Sequence, residues 1–470
     1  MTAPTATFAG ERSVFLERVL APLTHTGRAW WILTGVLLAL VVAGFVAYAK
    51  QVNDGLTVTG MNDTVFWGIY ISNFVFFSGL SMAGTFISAM LRMTDARSGA
   101  VMGADWRRPL TRFSELTTVA ALSMCAIMPA VDMGRPDRLW HLIAYGRLES
   151  PLVWDIMVIP TYLAASFLYL FLFMIPDSAM LRDRFGPTAS RPRRALYKLT
   201  AMRWQGLPDQ RHRLERAGTI MMVLIIPLGV GTHSVVSWIF GMTYRSGWDS
   251  TIFAPYFAVG ALYSGTAMLI TLMYIFRRAY HLEAYLTERH FRYLGGLMVI
   301  FGIAYLYFTF AEYLTVSYKL ESGDNFLLTE LFFGRYAALV WTGFFGGQVL
   351  PIFIGALPRT RTIPFLVAAS VLVNIGMWIK RFTIVVPSLS LPLLPYEWGV
   401  YKPTVEEILI TVASFAGFAL VITFFTKLFP IISVWEMEEG WAENAEPGPA
   451  GDQPDTPVTP LQPQMGGAEA

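Results

Sequence analysis

Cysteine is almost absent from this sequence. Its 470 residues include only Cys125, and a single thiol can form no disulfide within the chain and cannot supply the four ligands of an iron–sulfur cluster. Histidine is also scarce, with six residues. No two of them face each other at depth on predicted helices, which disfavours haem ligated by two histidines. The sequence therefore predicts no haem, no iron–sulfur cluster and no metal site in this chain.

Charge is the second deficit. Charged residues make up 14% of the chain and hydrophobic residues 54%, whereas a soluble protein carries about 25% charged residues. The apolar residues form blocks near the length of about 20 residues that spans a bilayer. We therefore predict an all-α polytopic membrane protein with about ten transmembrane helices. The predicted spans are Trp30–Tyr48, Val65–Leu91, Leu110–Met133, Val153–Ile175, Ala217–Phe240, Ile252–Phe276, Tyr293–Val316, Tyr336–Leu357, Pro364–Phe382 and Val405–Phe429.

The basic residues lie mainly in alternate loops. The loop between the fourth and fifth spans, Arg182–Arg216, is long and strongly basic, whereas Lys50 stands alone after the first span and Arg245 alone after the fifth. Because loops rich in Lys and Arg stay in the cytoplasm, both termini are expected there, and the loop Gly134–Asp155 is expected on the opposite side. The net charge of +2 gives no indication of a nucleic-acid partner.

Six segments follow from this pattern. The last is expected to be a disordered cytoplasmic tail, because it is acidic and then rich in Pro, Gly and Gln, with no Lys or Arg after Lys427. The segments are a cytoplasmic N-terminal segment (1–29), a first flanking helix with its outer loop (30–64), a first four-helix bundle (65–240), a second four-helix bundle (241–382), a last flanking helix (383–435) and the tail (436–470).

A weak internal repeat relates the two bundles. Phe77-Ser78-Gly79 with Met82 matches Tyr263-Ser264-Gly265 with Met268, and Leu152-Val153-Trp154-Asp155 matches Leu339-Val340-Trp341-Thr342. The two offsets are nearly equal and span four helices, so the units are predicted to share one orientation, unlike the inverted repeats common in transporters. Thr342 occupies the position of Asp155, and this difference favours a single active site in the first bundle.

The strongest site candidates lie in the connection Gly134–Asp155. His141 and Asp155 stand at the predicted outer membrane edge, where a histidine near a carboxylate can accept protons and hydrogen-bond a quinone carbonyl. An ionisable residue entering the bilayer is a functional candidate by default. The alternative is that Asp155 caps the fourth span. For Asp155 taken alone, the two interpretations are about equally supported. The nearby His141, and the presence of Thr342 at the equivalent position of the second bundle, favour a functional role.

Four further residues are weaker candidates. Arg135 flanks Asp137 and is better explained by a surface ion pair, and Trp154 by an interfacial aromatic belt. His233 is more typical of a satisfied core histidine than of a ligand. Asn73 can bind a ligand carbonyl or join two helices.

Carboxylates within or beside other spans are candidates for a proton relay. Asp132 and Glu312 lie in the predicted outer parts of spans three and seven, and Glu115 and Asp177 lie nearer the cytoplasmic edge. Taken one at a time, each is better explained by structural hydrogen bonding.

Several stretches resemble one family of membrane subunits. WGIYISNFVFFSGLSMAGTFISA, WRRPLTRFSE, GRP, SPLVWD, IPDSAMLRD, VVPSLSLP, YKPTVEE and KLFPIISVWE are similar to the NrfD/polysulfide-reductase (PsrC-like) family. Among its larger members the resemblance is greatest to the ActC subunit of alternative complex III.

This resemblance implies two four-helix bundles with flanking helices and no redox cofactor in the chain itself. It implies a quinol or menaquinol site in the first bundle near the periplasm, with His141 and Asp155 in it and Asn73 nearby. The implied setting is the bacterial inner membrane, with a periplasmic iron–sulfur subunit and a homologous NrfD-like subunit as partners, and with coupling to proton translocation. The expected function is quinol oxidation in a respiratory complex. The alternatives are a secondary transporter or ion-translocating subunit, and a non-catalytic membrane anchor.

Overall fold

The computed structural model describes residues 4–98, 106–186, 188–319, 321–392 and 397–445. Within these ranges the chain forms α-helices, a few short helical turns and no strand. The helices are α1 (Pro4–Thr24), α2 (Arg28–Asp54), α3 (Ile69–Ser98), α4 (Arg108–Asp132), α5 (His141–Ala144), α6 (Pro151–Phe185), α7 (Arg191–Thr200), α8 (Pro208–Gly241), α9 (Phe253–Ala279), α10 (Glu288–Lys319), α11 (Ser322–Phe332), α12 (Ala337–Trp341), α13 (Leu350–Ala356), α14 (Ile363–Ser390), α15 (Val405–Leu428) and α16 (Val434–Ala445). A π-helical segment, Thr342–Val349, joins α12 to α13.

The membrane-spanning helices follow the predicted spans. Among the described residues, nine helices are long and apolar enough to cross a membrane, with α12, the π-helical segment and α13 counted as one. The remaining predicted span corresponds to α3, whose apolar part covers Ile69–Met82. The all-α polytopic fold is therefore confirmed.

Several helices extend well beyond the predicted spans, most of all at the start of α8, which begins at Pro208 and not at Ala217, and at the ends of α6 and α14. The fourth span was expected to end at Ile175 and the ninth at Phe382, but α6 continues to Phe185 and α14 to Ser390. At the end of α14, Arg245 donates to the carbonyl oxygens of Ser388 (2.9 Å) and Leu389 (2.8 Å). These bonds satisfy carbonyls that the helix end leaves without internal partners. They stabilise the last turns of α14, which follow its charged residues Lys380 and Arg381.

The packing of the helices follows the repeat. Helices α3, α4, α6 and α8 form a closed ring in which each packs against the next, and α9, α10, the α12–α13 span and α14 form a second ring in the same order. The rings meet where α3 packs against α9 and α14, and α8 against α9. We call them the first and second bundle. The segment boundaries at 65, 241 and 383 stay predictions.

The two ends of the bundles differ. The end that carries the loop 133–150 is called the His141 end, and the opposite end, where α6 finishes, is called the Arg182 end. Helices α1, α7 and α16 lie at the Arg182 end. There Phe15 of α1 makes edge-on ring contacts with Tyr285 (4.9 Å) and Trp441 (5.0 Å).

The expectation of disorder from Glu436 onward is wrong for the first ten residues of the predicted tail, since α16 covers Val434–Ala445 and packs on α4 and α6. The Glu436 carboxylate is buried, accepts a hydrogen bond from the Thr111 hydroxyl (2.8 Å) and lies 3.7 Å from the Arg107 guanidinium. These partners compensate its burial, which an acidic composition alone does not reveal. Residues 446–470 of the predicted tail lie outside the described residues.

Candidate functional site

Asp155 is a buried carboxylate near the start of α6. The helix begins at Pro151 and its cap position is Ser150, so Asp155 lies a full turn inside and does not cap the helix. It is 6% exposed and, among the described residues, it forms no hydrogen bond or ion pair; its Oδ1 is fully enclosed. An enclosed carboxylate without a partner is unfavourable, and its presence here therefore favours a functional role over a structural one.

The surroundings of Asp155 draw on all four helices of the first bundle. Cys125 of α4 lies within electrostatic range of Asp155 and beside Ser78 of α3. The backbone oxygen of Ser78 in turn lies 2.9 Å from Nε2 of His233 on α8. A chain of neighbours thus runs through the bundle interior from the carboxylate of Asp155 by way of Cys125 and Ser78 to the imidazole of His233, and we call it the first-bundle site.

The imidazole of His233 lies between two acceptors. Its Nδ1 is 2.8 Å from the Gly229 carbonyl oxygen, and its Nε2 faces that of Ser78. A neutral imidazole has one N–H group, whereas the imidazolium has two. A neutral ring can therefore donate to only one of the two carbonyls, and both contacts are hydrogen bonds only in the imidazolium form.

His141 is not in contact with Asp155. It begins the short helix α5, which packs against α6, and its half-buried ring lies edge-on to Trp140 (4.2 Å) and Tyr145 (5.4 Å). Among the described residues no hydrogen bond or ion pair joins His141 to Asp155. The predicted pair therefore consists of one enclosed group and one group near the surface of the His141 end.

Two of the weaker candidates occupy the same end. Arg135 donates to Asp137 in an exposed ion pair (2.9 Å), and this hydrogen bond lowers the pKa of Asp137 below its ordinary value. The indole N–H of Trp154 donates to the Leu148 carbonyl oxygen, and its ring lies edge-on to Trp238 at 6.4 Å. Arg135 is thus bonded within the loop, and Trp154 contacts both the loop and α8.

Asn73 does not point into the first bundle. Its amide nitrogen donates to the Thr411 hydroxyl (3.0 Å), and its amide oxygen accepts from the indole N–H of Trp378 (2.8 Å). Both ends of the amide are thus used to join α3 to α14 and α15. This geometry favours the second interpretation of Asn73, a bond between helices, over a ligand contact; the direction of a side chain around a helix does not follow from its depth.

The four relay candidates are spread over three helices and both bundles. Asp177 pairs with Arg112 and also accepts from the backbone N–H groups of Val434 (3.0 Å) and Trp435 (2.9 Å). It therefore holds the chain that continues from α15 and is unsuited to a relay.

The other three carboxylates differ in their partners. Glu115 accepts from the Ser88 hydroxyl (3.0 Å), and Glu312 from that of Ser250. Asp132, the last residue of α4, has a buried Oδ1 with no hydrogen-bond partner among the described residues. Asp132 therefore remains a candidate for proton exchange near the His141 end.

Sequence reasoning missed two buried cations in α14. Lys380 and Arg381 are 9% and 2% exposed, and the Arg381 guanidinium lies 4.6 Å from the Phe257 ring centre. Their signal was present, because adjacent basic residues inside a predicted span are as notable as a carboxylate there. The π-helical segment that faces α14 was also missed, and it has no comparable signature.

These features define a polytopic helical membrane protein built from two like-ordered four-helix bundles, with a buried carboxylate in the first. The polysulphide reductase NrfD family model matches residues 57–392, and the chain belongs to this family.

Curated relatives cover most of the chain. A putative membrane subunit of a dimethyl sulfoxide reductase from Halobacterium salinarum is 27% identical over 88% of this chain and 93% of its own. The integral membrane subunit of a menaquinone reductase from Nitratidesulfovibrio vulgaris is 24% identical over 83% and 88%, respectively. The integral membrane subunit of an Hdr-like menaquinol oxidoreductase from Archaeoglobus fulgidus is 22% identical over 86% and 94%. These relatives are named as membrane subunits of oxidoreductases.

Proposed function

We propose that this chain is the quinol-oxidising membrane subunit of a respiratory complex of the alternative complex III type. The observation that carries the proposal is the enclosed, unpartnered carboxylate of Asp155 in the first-bundle site. The menaquinone and menaquinol named in two relatives support quinol as the substrate. The partners are then a periplasmic iron–sulfur subunit and a second NrfD-like subunit.

The proposed chemistry is a two-electron oxidation. Quinol loses two protons and two electrons to become quinone, and the electrons leave to the cluster of the iron–sulfur subunit. Asp155 accepts a proton from one ring hydroxyl, and His233 offers a second proton position between its two carbonyls. His141, at the surface of the same end, passes protons to water.

The proposed orientation places the His141 end at the periplasmic face of a bacterial inner membrane and both termini in the cytoplasm. Its support is the strongly basic segment 182–216 at the opposite end. Protons from quinol are then released outside, and Asp132 and Glu312 lie on the release side. We also propose that quinol oxidation is coupled to proton translocation. More than two protons released outside per quinol oxidised would support this coupling, and two or fewer would contradict it.

The test compares Asp155→Asn with Asp137→Asn in the intact complex. Quinol oxidation is expected to fall about 100-fold or more in Asp155→Asn, the range for loss of a general base, and to stay unchanged in Asp137→Asn, whose carboxylate is exposed. His141→Ala is expected to slow turnover less, since it does not touch Asp155. Full activity of Asp155→Asn would overturn the assignment and favour a non-catalytic anchor.

A further inference from the structure

A cavity of about 620 Å³ lies in the second bundle, between α10, the π-helical segment and α14. This volume is within the range of about 300–1,000 Å³ that is typical of small-molecule sites. The cavity shares no lining residue with the first-bundle site. Nothing in the proposed oxidation of quinol uses it.

The rim of this cavity is aromatic and faces the surface of the bundle. Tyr307 and Phe310 of α10 are 65% and 64% exposed, and Trp341 and Phe344 line the opposite side. In a membrane-spanning helix such side chains face hydrocarbon. A ligand therefore enters from the lipid phase and needs an apolar body.

The back wall of the cavity is polar and buried. The ammonium group of Lys380 donates to the Tyr313 hydroxyl (2.7 Å), which uses one of its three N–H groups. Gln348 is 3% exposed; its amide oxygen accepts from Thr309 (3.3 Å), while its amide nitrogen donates to no other described residue. The ammonium of Lys380 also lies over the rings of Tyr313 (4.5 Å) and Tyr256 (5.7 Å). Lys380 and Gln348 still have N–H groups without a hydrogen-bond acceptor among the described residues, so the wall is suited to a ligand oxygen.

The depth of the donors decides which amphiphile fits. Lys380 lies ten residues before the end of α14 at Ser390, which is about 15 Å of helix. A phospholipid keeps its charged head at the interface, because burial of an ion is costly. The uncharged carbonyl oxygens of a quinone can reach this depth.

We propose that the second-bundle cavity binds the head of a second quinone, with one carbonyl oxygen accepting hydrogen bonds from Lys380 and Gln348. The ring packs among the aromatic side chains at the rim, and the isoprenoid tail leaves into the lipid. This site is separate from the first-bundle site, so either assignment can fail alone.

A photoreactive naphthoquinone, cross-linked to the purified intact complex and mapped by peptide mass spectrometry, tests the proposal. We expect labelled peptides from 303–313 and 341–348 in addition to any from the first bundle. Lys380→Met and Gln348→Leu are each expected to weaken this labelling about tenfold or more, as expected for loss of a hydrogen bond to a buried site. Lys319→Met, which removes an exposed ammonium at the end of α10, is the matched control and is expected to change nothing.

The Asp155→Asn complex separates this site from the proposed catalytic one, because it should lose quinol oxidation and keep the second-bundle label. Labels confined to the first bundle would overturn the second site. Unchanged second-bundle labelling in both Lys380→Met and Gln348→Leu, with thermal transitions that match the wild type, would also overturn the second site. Co-purification of a phospholipid whose retention depends on Lys380 would equally overturn it and identify a structural lipid.

Discussion

The two bundles share an order of packing but differ in the charged group at their candidate sites, a carboxylate in the first and an ammonium in the second. The first bundle encloses the carboxylate of Asp155. In the second bundle, α14 carries the buried cations Lys380, at the second-bundle cavity, and Arg381, at the junction with α9 and α3. A carboxylate accepts protons, whereas an ammonium and a guanidinium at these positions can only donate hydrogen bonds. A duplicated scaffold can thus keep its helix contacts while its two interiors acquire complementary chemistry.

The repeat positions of Asp155 and Thr342 show how this difference arises. Asp155 lies in regular α-helix and is buried, whereas Thr342 begins the π-helical segment and is exposed. A π-type turn adds a residue to the turn and shifts the register of the residues after it, and such segments are frequent at functional sites. Equivalence in sequence therefore does not extend to equivalence in direction, and the Asp-to-Thr difference by itself is weaker evidence for a single site than the repeat suggested.

The helix contacts of the two bundles also differ in kind. In the first, Arg112 of α4 and Asp177 of α6 form a buried ion pair. The corresponding contact of α10 and α13 is made by glycines: a side chain at Gly302 would meet Ile352, and one at Gly355 would meet Val299. The contact of α4 with α6 thus contains an ion pair, whereas that of α10 with α13 depends on close packing, and each can be broken by its own type of substitution.

The largest effect is expected for Asp177→Asn, which leaves the buried Arg112 without its counter-charge. Breaking one partner of a buried ion pair costs about 3–5 kcal/mol, and the bonds to Val434 and Trp435 weaken with it. Thermal unfolding of the complex should shift downward, and protease should cleave more readily after residue 430. Asp183→Asn, in an exposed pair on the same helix, is the control and should change unfolding by no more than about 1 kcal/mol. Equal stability of the two variants would show that Asp177 does not hold Arg112 and the start of α16 in place.

The second bundle is tested by two neighbouring glycines. A Cβ at Gly347 would lie 2.4 Å from the Cα of Gly376 in α14, whereas a Cβ at Gly346 meets nothing within 4 Å. Because the obstacle is backbone and cannot rotate away, Gly347→Ala is expected to destabilise the protein by about 3 kcal/mol. Gly346→Ala should be neutral or slightly stabilising, since it only lowers the freedom of the unfolded chain. If both variants unfold alike, the π-helical segment does not pack on α14 as described.

Much of the architecture could be predicted from the sequence because its signals are local. Apolar length placed the spans, and the twin matches at one offset indicated bundles of like orientation. Asp155 stood out because a charged residue inside an apolar run requires an explanation. The spans and Asp155 follow from residues that are close together in the chain, and the repeat from the comparison of short stretches with one another.

The parts that were wrong or missed depend on which way side chains point and on distant partners. Asn73 was a candidate because of its depth in the second span, but its side chain faces Trp378 and Thr411, more than 300 residues away in sequence. Glu436 was assigned to a disordered tail because its partner Thr111 lies far along the chain. The second-bundle cavity depends on the π-helical segment, whose glycines gave no specific sequence signal.

Asn73 provides the smallest and most discriminating prediction, because the sequence assigned it to the site and the structure assigns it to the junction between the bundles and α15. Asn73→Ala removes two hydrogen bonds and leaves the Trp378 N–H unpaired, so stability should fall by about 2 kcal/mol. The folded complex should still oxidise quinol at the wild-type rate. In a double-mutant cycle with Trp378→Phe, the losses should be less than additive, since one bond is removed by either change. A fall in turnover at unchanged stability would instead return Asn73 to the first-bundle site.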